Sequence, residues 1–560
     1  MNPFHTLTLT SCLLMAMSWL PVTQASDQQT EKPNFVFILA DDMAWNGTSF
    51  MAHPAIQASK SDYYQTPHLE KLAAEGMRFS HAYAPAPMCT PSRASLITGK
   101  SPAQLHMTTP GRGNRAAQPW QKLIQPNHVS EFSEQEQTIA EVLQTRGYVS
   151  AHFGKWHLNG GGPGQHGFTV HDGATGNQGP ANNEAPNPKD IFGITERATQ
   201  FMEKQAAAKR PFYLHLAHYA VHSESKALPS SIAEFEKKEK GQYHSDPLFA
   251  AMTKDFDTGV GMILDALNKL GIRQHTYVIF MSDNGGSGKG QHRGTPTPLA
   301  GGKGSLLEGG IRSPMIIQGP NIKANSFCNA NVIGYDLFPT ICQLAGLTST
   351  LPEGIEGTSL TPLLFGQADR SSFQRKHQEL IFHFPHYGRG PSQSPQSAMI
   401  LGDFKIIKYY EADATGKSTE SGQISIYHLG KDIGEQSDLS TSHPDKAREL
   451  QQRMQQYLSR IKAQLPQINP DYDPKAEPVR KRPGRRQGNS SPQGPGHRIA
   501  SMDSNNDGSV SRKEFTGPPR RFDLIDQNND GMLSEKEWSS APTGRGRTNA
   551  KEDKAPKDEK

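Results

Sequence analysis

The segment from Met88 to Gly99 combines residues that could do chemistry at a fixed spacing. Cys89 is followed by proline two places later and by Arg93 four places later, and small and apolar residues come next. Proline is tolerated in the first helical turn, so Cys89 is expected at a helix N-terminus, where free N–H groups favour an anion. Arg93 would return to the same face one turn later. A buried structural cysteine is the competing interpretation of this segment taken alone.

Acidic side chains follow two apolar runs of the chain. Residues 34–40 lead directly into Asp41 and Asp42, and residues 276–281 lead through a serine into Asp283 and Asn284. Adjacent carboxylates repel each other unless a cation neutralises them, and hard divalent cations prefer such oxygen ligands. The two segments predict a cation site, with a solvated turn as the alternative for Asp41 and Asp42.

Basic and imidazole groups follow other predicted strands. Lys155 and His157 lie two residues apart after the run 148–153, so they point to one side of an extended segment and suit an anionic ligand. The run 211–222 contains three histidines, His215, His218 and His222, and delivers the last of them at its far end. Lys303 lies in a glycine-rich stretch where the backbone can approach a ligand.

The elements that must position these groups form an alternating pattern. Apolar runs indicate buried strands, and cap and periodicity signals predict helices over 66–76, 138–147 and 250–270. Residues 159–190 are rich in Gly, Pro and Asn and are expected to form a long loop over the site. At least four strands therefore deliver polar groups at their ends, which is typical of an α/β protein with its site beyond the strand C-termini.

Two segments carry a family resemblance. Cys89-Thr90-Pro91-Ser92-Arg93 followed by A-S-L-I-T-G, together with the G-K-x-x-x-x-E-G-G-I-R-x-P block at 302–314, resembles the formylglycine-dependent (type I) sulfatases. The resemblance covers about residues 32–465. It implies the α/β fold of alkaline phosphatases and sulfatases, a sheet flanked by helices, over 32–370. It also implies a smaller C-terminal α+β subdomain over 371–465, with strands near 382, 404–409 and 424–429 and a helix around 444–463.

The resemblance also implies the site. Cys89 would be oxidised to formylglycine by a formylglycine-generating maturation enzyme. One hydroxyl of its hydrate would attack sulfur, and the other would expel sulfate as the aldehyde re-forms. The implied ligands of an active-site Ca²⁺ are Asp41, Asp42, Asp283, Asn284 and the modified Cys89.

Catalytic roles for the remaining groups follow from the same resemblance. Arg93 would hold the hydrate, and Lys155 and Lys303 would contact the sulfate and the bridging oxygen. His157 would take the hydrate proton.

Among the histidines of the run 211–222, His222 best matches the family's histidine that follows this strand. It would protonate the leaving alkoxide, and His215 and His218 are assigned structural roles.

The composition of the chain changes after residue 465. Residues 466–497 form a basic Pro/Gly linker, and residues 498–540 contain two twelve-residue loops with oxygen donors at positions 1, 3, 5, 9 and 12 and glycine at position 6. This is the EF-hand pattern, in which position 7 binds through its backbone, so a Ca²⁺ is expected in each loop. Residues 541–560 are expected to be disordered. The predicted ligands are Asp503, Asn505, Asp507, Ser509 and Glu514 in the first loop, and Asp526, Asn528, Asp530, Met532 and Glu537 in the second.

Composition limits the remaining possibilities. The 560 residues exceed the usual size of a domain with a single core, so more than one domain is expected. The mild net charge of +4 says little about nucleic acid, but no Lys/Arg-rich helix with interleaved aromatic residues appears, so no nucleic-acid partner is expected. Residues 1–25 are interpreted as a secretory signal, so the protein is expected to be secreted or periplasmic, with no membrane span. Cys328 and Cys342 are left as a candidate disulfide pair. The EF-hand pair is left with a possible protein or surface partner.

The sequence thus predicts a secreted sulfatase that hydrolyses sulfate monoesters, with a sulfated carbohydrate as the expected substrate. Two alternatives remain at this point. One is a phosphomonoesterase or phosphodiesterase of the same superfamily, although those use Ser or Thr and usually zinc with several histidine ligands. The other is a non-catalytic, calcium-dependent binding protein in which Cys89 stays a thiol.

Overall fold

A computed structural model of the chain describes residues 32–477, except 112–115, 181–183, 288–296, 348–350, 389–393 and 412–422. In the C-terminal part it describes 502–503, 505, 507–515, 522–523, 525–534 and 536–537. The chain divides into two compact units, residues 1–476 and 477–560. The predicted signal, most of the predicted linker and the predicted disordered tail lie outside the described residues. No helix within the described residues is both long and apolar enough to cross a membrane.

The strands of the first unit form a large central sheet, a smaller sheet and two short ribbons. They are β1 (Asn34–Ala40), β2 (Met77–Phe79), β3 (Ala82–Tyr83), β4 (Leu123–Ile124), β5 (Val149–Gly154), β6 (Val170–His171), β7 (Phe212–Ala217), β8 (Thr276–Ser282), β9 (Met315–Gln318), β10 (Ser326–Cys328), β11 (Val332–Ile333), β12 (Leu380–Phe384), β13 (Gln396–Leu401), β14 (Phe404–Tyr409), β15 (Ile424–His428) and β16 (Gln467–Ile468). The ribbons are β3–β11 and β4–β16.

The central sheet has eight strands in the order β10-β2-β9-β8-β1-β7-β5-β6. Strand β1 pairs in parallel with β7 and β8, and β5 pairs in parallel with β7. Ala40 lies opposite Ser282, and Gly154 lies opposite Ala217, so four parallel strands end at one edge. The predicted open α/β sheet is confirmed, and it is mixed because β9 runs antiparallel to β8 and β2.

The helices cover both faces of this sheet. They are α1 (Pro67–Glu75), α2 (Cys89–Thr98), α3 (Pro102–Leu105), α4 (Ile139–Gln144), α5 (Ile191–Ala207), α6 (Pro229–Lys237), α7 (Pro247–Lys269), α8 (Glu308–Ile311), α9 (Leu337–Leu344), α10 (Thr361–Leu364) and α11 (Pro444–Arg460). Strand β1 is buried on both sides: Phe35 and Phe37 pack with α2, α4 and α9, while Val36 and Ile38 pack with α1, α5 and α7. This double burial explains its unbroken apolar sequence.

Local sequence signals were mostly correct, with differences at the ends of elements. The capping box of Thr138 and Glu141 begins α4 as predicted. Thr66 precedes α1, but its side chain does not cap the helix because its hydroxyl bonds to Ser49 instead. The strand predicted over 211–222 ends at Ala217, and the predicted loop over 159–190 contains the edge strand β6. Cys328 and Cys342 are separate buried thiols, so the candidate disulfide is absent.

Strands β12–β15 form a four-stranded antiparallel meander, and α11 packs against it. Buried ion pairs link this sheet to α8. Lys405 on β14 lies 2.9 Å from Glu308 on α8 and 2.7 Å from Glu435, and Glu308 also pairs with Arg312 at 2.6 Å. All four side chains are fully inaccessible. The boundary predicted at residues 370 and 371 stays a prediction.

The second unit contains the two predicted EF-hand loops. Strands β17 (Val510–Ser511) and β18 (Met532–Leu533) pair antiparallel, with Val510 opposite Leu533. These two residues pack with Phe522 and Ile525 in a small core. Both loop glycines, Gly508 and Gly531, adopt positive φ values of 87° and 79°, which the sharp turn at position 6 requires.

Candidate active site

Helix α2 places Cys89 at the edge of the sheet where the parallel strands end. The residue opens the helix after the extended Met88, as the proline two places later predicts. Cys89 Sγ lies 3.3 Å from Asp41 Oδ1 and 3.8 Å from Asp42 Oδ1. The side chain is buried next to these two carboxylates.

Three carboxylates converge on this position from β1 and β8. Asp41, Asp42 and Asp283 are buried. The Asp42 backbone N–H donates to Asp283 Oδ1 at 3.2 Å, and Asn284 Nδ2 donates to Asp42 Oδ1 at 2.8 Å. The two strands therefore bring together acids that are separated by more than two hundred residues in sequence.

Three cations balance these carboxylates. Arg93 reaches Asp283 at 2.7 Å, Lys155 reaches Asp41 at 2.5 Å, and Lys303 reaches Asp42 at 2.6 Å. Lys303 Nζ also lies 3.3 Å from the Cys89 sulfur atom. The arrangement concentrates three positive groups around one side chain, which suits an anionic substrate.

The local charges shift the proton affinities of the cluster. Burial opposes ionisation of Asp41, yet the charges of Lys155 and Arg93 hold its pKa well below its usual value. Burial and then the neighbouring Asp41 raise the pKa of Asp283 to about 6. Burial, followed by the charges of Asp283 and Asp41, raises the pKa of the Cys89 thiol. The unmodified thiol is therefore a poor source of thiolate at neutral pH.

The two predicted catalytic histidines lie beside the cluster. His157 follows Lys155, and its Nδ1 lies 3.3 Å from the hydroxyl of Thr90 on α2. Burial and then Lys155 lower the pKa of His157 to about 2, so its imidazole is neutral. His222 Nε2 lies 3.8 Å from Asp42 Oδ2, and its Nδ1 lies 2.7 Å from the Ser223 carbonyl oxygen. Because a carbonyl only accepts, Nδ1 carries the proton and Nε2 faces the carboxylates.

The other histidines of β7 and its end lie in the core. His215 contacts the Tyr213 hydroxyl at 3.1 Å and packs against Phe37, and His218 packs edge-on against Phe256. Burial lowers the pKa of both imidazoles. Their positions agree with the structural roles assigned to them from sequence.

The donors at this edge fit a hard divalent cation. Ligand atoms of Asp41, Asp42, Cys89 and His222 lie within 4.8 Å of one another. The Asn284 side-chain oxygen is buried and has no hydrogen-bond partner among the described residues. Carboxylate and amide oxygens are the ligands that Ca²⁺ prefers.

Comparison with known proteins identifies the family. The profile of the sulfatase family matches residues 33–347, more than half of the chain. This chain belongs to the sulfatase family. The profile of the C-terminal region of N-sulphoglucosamine sulphohydrolase matches residues 302–464, and an EF-hand profile matches residues 520–540. The protein is accordingly a sulfuric ester hydrolase, which favours the first of the three functions considered from sequence.

Individual sulfatases resemble the chain over most of their length. N-acetylgalactosamine-6-sulfatase from Canis lupus familiaris is 29% identical and aligns with 78% of this chain and 88% of its own. Arylsulfatase A from Homo sapiens is 28% identical, with 77% and 88% covered. Among solved structures, Ps i-CgsB has a TM-score of 0.62 at 24% identity, covering 76% of this chain and 93% of its own. The PsFucS1 sulfatase from Pseudoalteromonas sp. has a TM-score of 0.59 at 21% identity, with 77% and 91% covered.

The predicted calcium ligands of the second unit lie together within each loop. Asp503 accepts the N–H groups of Asp507 and Gly508 at 3.1 and 2.7 Å. Asp526 accepts the equivalent pair in the second loop, at 3.1 and 3.0 Å. The twelfth residue of each loop, Glu514 or Glu537, bonds to the serine at position 9. The remaining predicted ligands, Asn505, Ser509, Asn528, Asp530 and Met532, belong to the same two loops.

Sequence reasoning missed two side chains beside the cluster. Thr90 binds both the Nδ1 atom and the carbonyl of His157, although it lies inside the recognised motif. Ser282 hydrogen-bonds the Met43 backbone N–H and the Asn284 carbonyl, and so holds the acidic turns of β1 and β8 together. The only available signal for either residue was its adjacency to a predicted site residue.

Proposed function

We propose that this sulfatase removes sulfate from a sulfated carbohydrate, outside the cytoplasm, by means of an oxidised Cys89 and a bound Ca²⁺. The observation that carries the proposal is the convergence on Cys89 of three buried carboxylates and three cations, of which Arg93 and Lys155 are buried and Lys303 is partly buried. A sugar substrate is supported by the relative named for N-acetylgalactosamine 6-sulfate. It is also supported by a structural neighbour described in complex with D-glucosamine-2-N,6-O-disulfate.

Ca²⁺ would be held by Asp41, Asp42, Asp283, Asn284 and the oxidised residue 89, and would supply positive charge opposite a sulfate oxygen. This donor set accounts for the unsatisfied Asn284 oxygen and for the packing of carboxylates at the ends of β1 and β8. It lacks the several histidine ligands expected of a zinc phosphoesterase.

Formylglycine at position 89 would supply a hydrated aldehyde, in which one hydroxyl serves as nucleophile and the other later releases sulfate. The chain's own groups place and charge this centre. Arg93 is fixed by Asp283 and by the Lys155 carbonyl at 2.6 Å, so its guanidinium stays beside residue 89. Lys155 and Lys303 are positioned to bind sulfate oxygens and to stabilise charge on the bridging oxygen.

The histidines divide the proton transfers between them. His157 is neutral in its buried, cationic surroundings, so it keeps a lone pair, and the negative charge of a bound sulfate ester would raise its pKa so that it can accept the proton from residue 89. His222 is oriented by Ser223 so that Nε2 faces the site and can deliver a proton to the leaving alkoxide. Burial lowers the pKa of His222, so an anionic ester is needed nearby to favour its protonated form.

A paired assay tests the proposal. The wild type and the variants Cys89→Ala and Asp283→Ala are produced in a host that has the cysteine-oxidising enzyme. Each protein is then assayed with a sulfate monoester and with the phosphate analogue of that ester. We expect sulfate release by the wild type alone and little phosphate release. Preferred hydrolysis of the phosphate ester, or near-wild-type sulfate release by either variant, would contradict the proposal.

A further inference from the structure

Lys189 is a buried cation that the catalytic scheme leaves unused. It lies in the turn Pro188–Asp190 that precedes α5, and only 6% of the residue is exposed. Its Nζ atom has one hydrogen-bond acceptor among the described residues, the Ser223 carbonyl at a long 3.4 Å. No ion pair joins it to a described carboxylate, and the charges of Asp41 and Glu224 act on it only from a longer distance. Burying an ammonium group without an anion is costly, so the site calls for one.

This cation lies on the His222 side of the active site. The Ser223 carbonyl that accepts from Lys189 also accepts from His222 Nδ1, and the other ring nitrogen of His222 faces Asp42. Burial lowers the pKa of Lys189 to about 8, and Asp41 opposes that shift. Lys189 is therefore mostly charged at neutral pH and close enough to feel the charge of the catalytic cluster.

The turn that carries Lys189 is held in place from the catalytic strand β5. Lys189 and Asp190 have φ values of 55° and 56°, the left-handed region that costs energy for residues other than glycine. Asp190 pairs with Arg197 at 2.7 Å, and Arg197 pairs with Asp172 at 2.8 Å. Asp172 in turn accepts the Gly154 N–H at 2.7 Å, at the end of β5. These contacts fix the turn relative to the strand that delivers the catalytic lysine.

We propose that Lys189 forms a second anion subsite, which binds a carboxylate or an additional sulfate on the leaving sugar. The inference rests on the proposed function. Arg93, Lys155 and Lys303 already meet the charge of the scissile sulfate, and His222 is assigned to the leaving oxygen. Because Lys189 shares the Ser223 carbonyl with His222, we place it on the side of the site assigned to the leaving group. The expected substrates are sugars that carry another acidic group close to the scissile ester.

Two matched ester pairs test the subsite. 4-Nitrophenyl sulfate and 2-carboxy-4-nitrophenyl sulfate differ by one carboxylate, and N-acetylgalactosamine 6-sulfate and its 4,6-disulfate differ by one sulfate. The two pairs distinguish the two sources of the second charge. The variants are Lys189→Met, Lys189→Arg and the control Lys254→Met, whose partly exposed side chain is ion-paired with Glu234.

We expect the wild type to prefer the doubly charged member of at least one pair. Lys189→Met should lower kcat/KM for that member, mainly through KM, by about tenfold more than for its singly charged partner, as the loss of a charge-assisted hydrogen bond predicts. Lys189→Arg should recover part of the preference, and Lys254→Met should keep it. Equal losses on both members, or an unchanged preference in Lys189→Met, would overturn the inference.

A binding measurement separates this inference from the proposed function. In a Cys89→Ser background, calorimetry compares the affinities of both members of each pair with and without Lys189→Met. A preference for the second charge that Lys189→Met removes supports the subsite even if no ester is cleaved. Identical affinities in the two proteins, or no binding of either member, would overturn it. Failure of the oxidised wild type to cleave any sulfate ester would count against the proposed function instead.

Discussion

At the scale of single residues, Cys89 gains its character from neighbours that are distant in sequence. Burial and two nearby carboxylates raise the pKa of its thiol. Arg93, Lys155 and Lys303 supply positive charge that can bind an anionic substrate. The sequence predicted the members of this cluster because each follows a recognisable strand or motif. It did not predict their pairing, such as Arg93 with Asp283, because ion pairs depend on which strands become neighbours. No sequence pattern pointed to Lys189 as a site residue, because it lies in a segment without a recognisable motif or secondary-structure period.

Replacing Lys303 by methionine tests the role of the cluster's cations. The substitution removes a positive group 3.3 Å from the Cys89 sulfur while keeping a similar volume. We expect kcat for sulfate release to fall by about 10²–10³, the usual cost of losing a preorganised donor. Steady-state kinetics on a sulfate monoester give the measurement.

Lys254 provides the matched control for this test. It is a partly exposed lysine on α7 that forms an ion pair with Glu234 on α6. Lys254→Met should therefore leave kcat within about twofold of the wild-type value. A Lys303→Met protein that stays folded and loses less than about fivefold would remove Lys303 from the catalytic account.

At the scale of elements, the apolar runs of the sequence predicted the central strands, whereas no sequence pattern predicted the contact between α8 and β14. That contact is a buried network in which Glu308 and Glu435 share Lys405. Glu308 lies 97 residues from Lys405 and 127 residues from Glu435 along the chain, with no local pattern to connect it to β14. The short strand β6 was missed for the same reason. It is a strand only because it pairs with β5 at the edge of the sheet, within a segment that is otherwise irregular.

The pH dependence of stability tests this network. Burial, with Glu308 nearby, raises the pKa of Glu435 to about 7, above its ordinary value of 4.5. Between these two pH values the folded state binds more protons at Glu435 than the unfolded state, so stability should fall as pH rises, by up to about 1.4 kcal/mol per pH unit. Urea unfolding at pH 5 and pH 7 measures the change.

The Glu435→Gln variant isolates the contribution of this group. It cannot lose a proton, so the stability of the wild type relative to the variant should decline from pH 5 to pH 7. A relative stability that is constant or rises over this range would place the Glu435 pKa at or below its ordinary value.

At the scale of the whole molecule, the chain combines a sulfatase unit with a compact second unit that carries EF-hand loops. The loops were predicted in detail because their ligands are spaced along one short segment. The four-stranded meander was predicted only in outline: strand β13 was missed, and the Gly- and Pro-rich connection 385–395 between β12 and β13 is too long to fix their register. All the proposed catalytic groups lie between Asp41 and Lys303, within the first unit.

Removal of residues 498–560 tests the independence of the two units. We expect the truncated protein to keep most of the wild-type kcat on a small sulfate ester, because every proposed catalytic group remains. Circular dichroism establishes that the first unit is folded. Complete loss of activity in a folded truncation would mean that the second unit takes part in the chemistry.

Calcium stoichiometry tests the loops themselves. The double variant Glu514→Gln and Glu537→Gln removes the bidentate ligand at position 12 of each loop. Equilibrium dialysis followed by elemental analysis should find two fewer calcium ions per chain than in the wild type. An unchanged stoichiometry would show that these loops do not bind calcium through those glutamates.

The central claim, that this site works through an oxidised side chain at position 89, is tested most directly by the mass of the peptide that contains it. Protein from its native host is digested, and the mass of the peptide that contains residue 89 is measured by mass spectrometry. The same peptide from protein made without the oxidising enzyme is measured for comparison. We predict the mass of formylglycine or its hydrate in the first sample and of cysteine in the second. An unmodified cysteine in active protein from the native host would contradict the account.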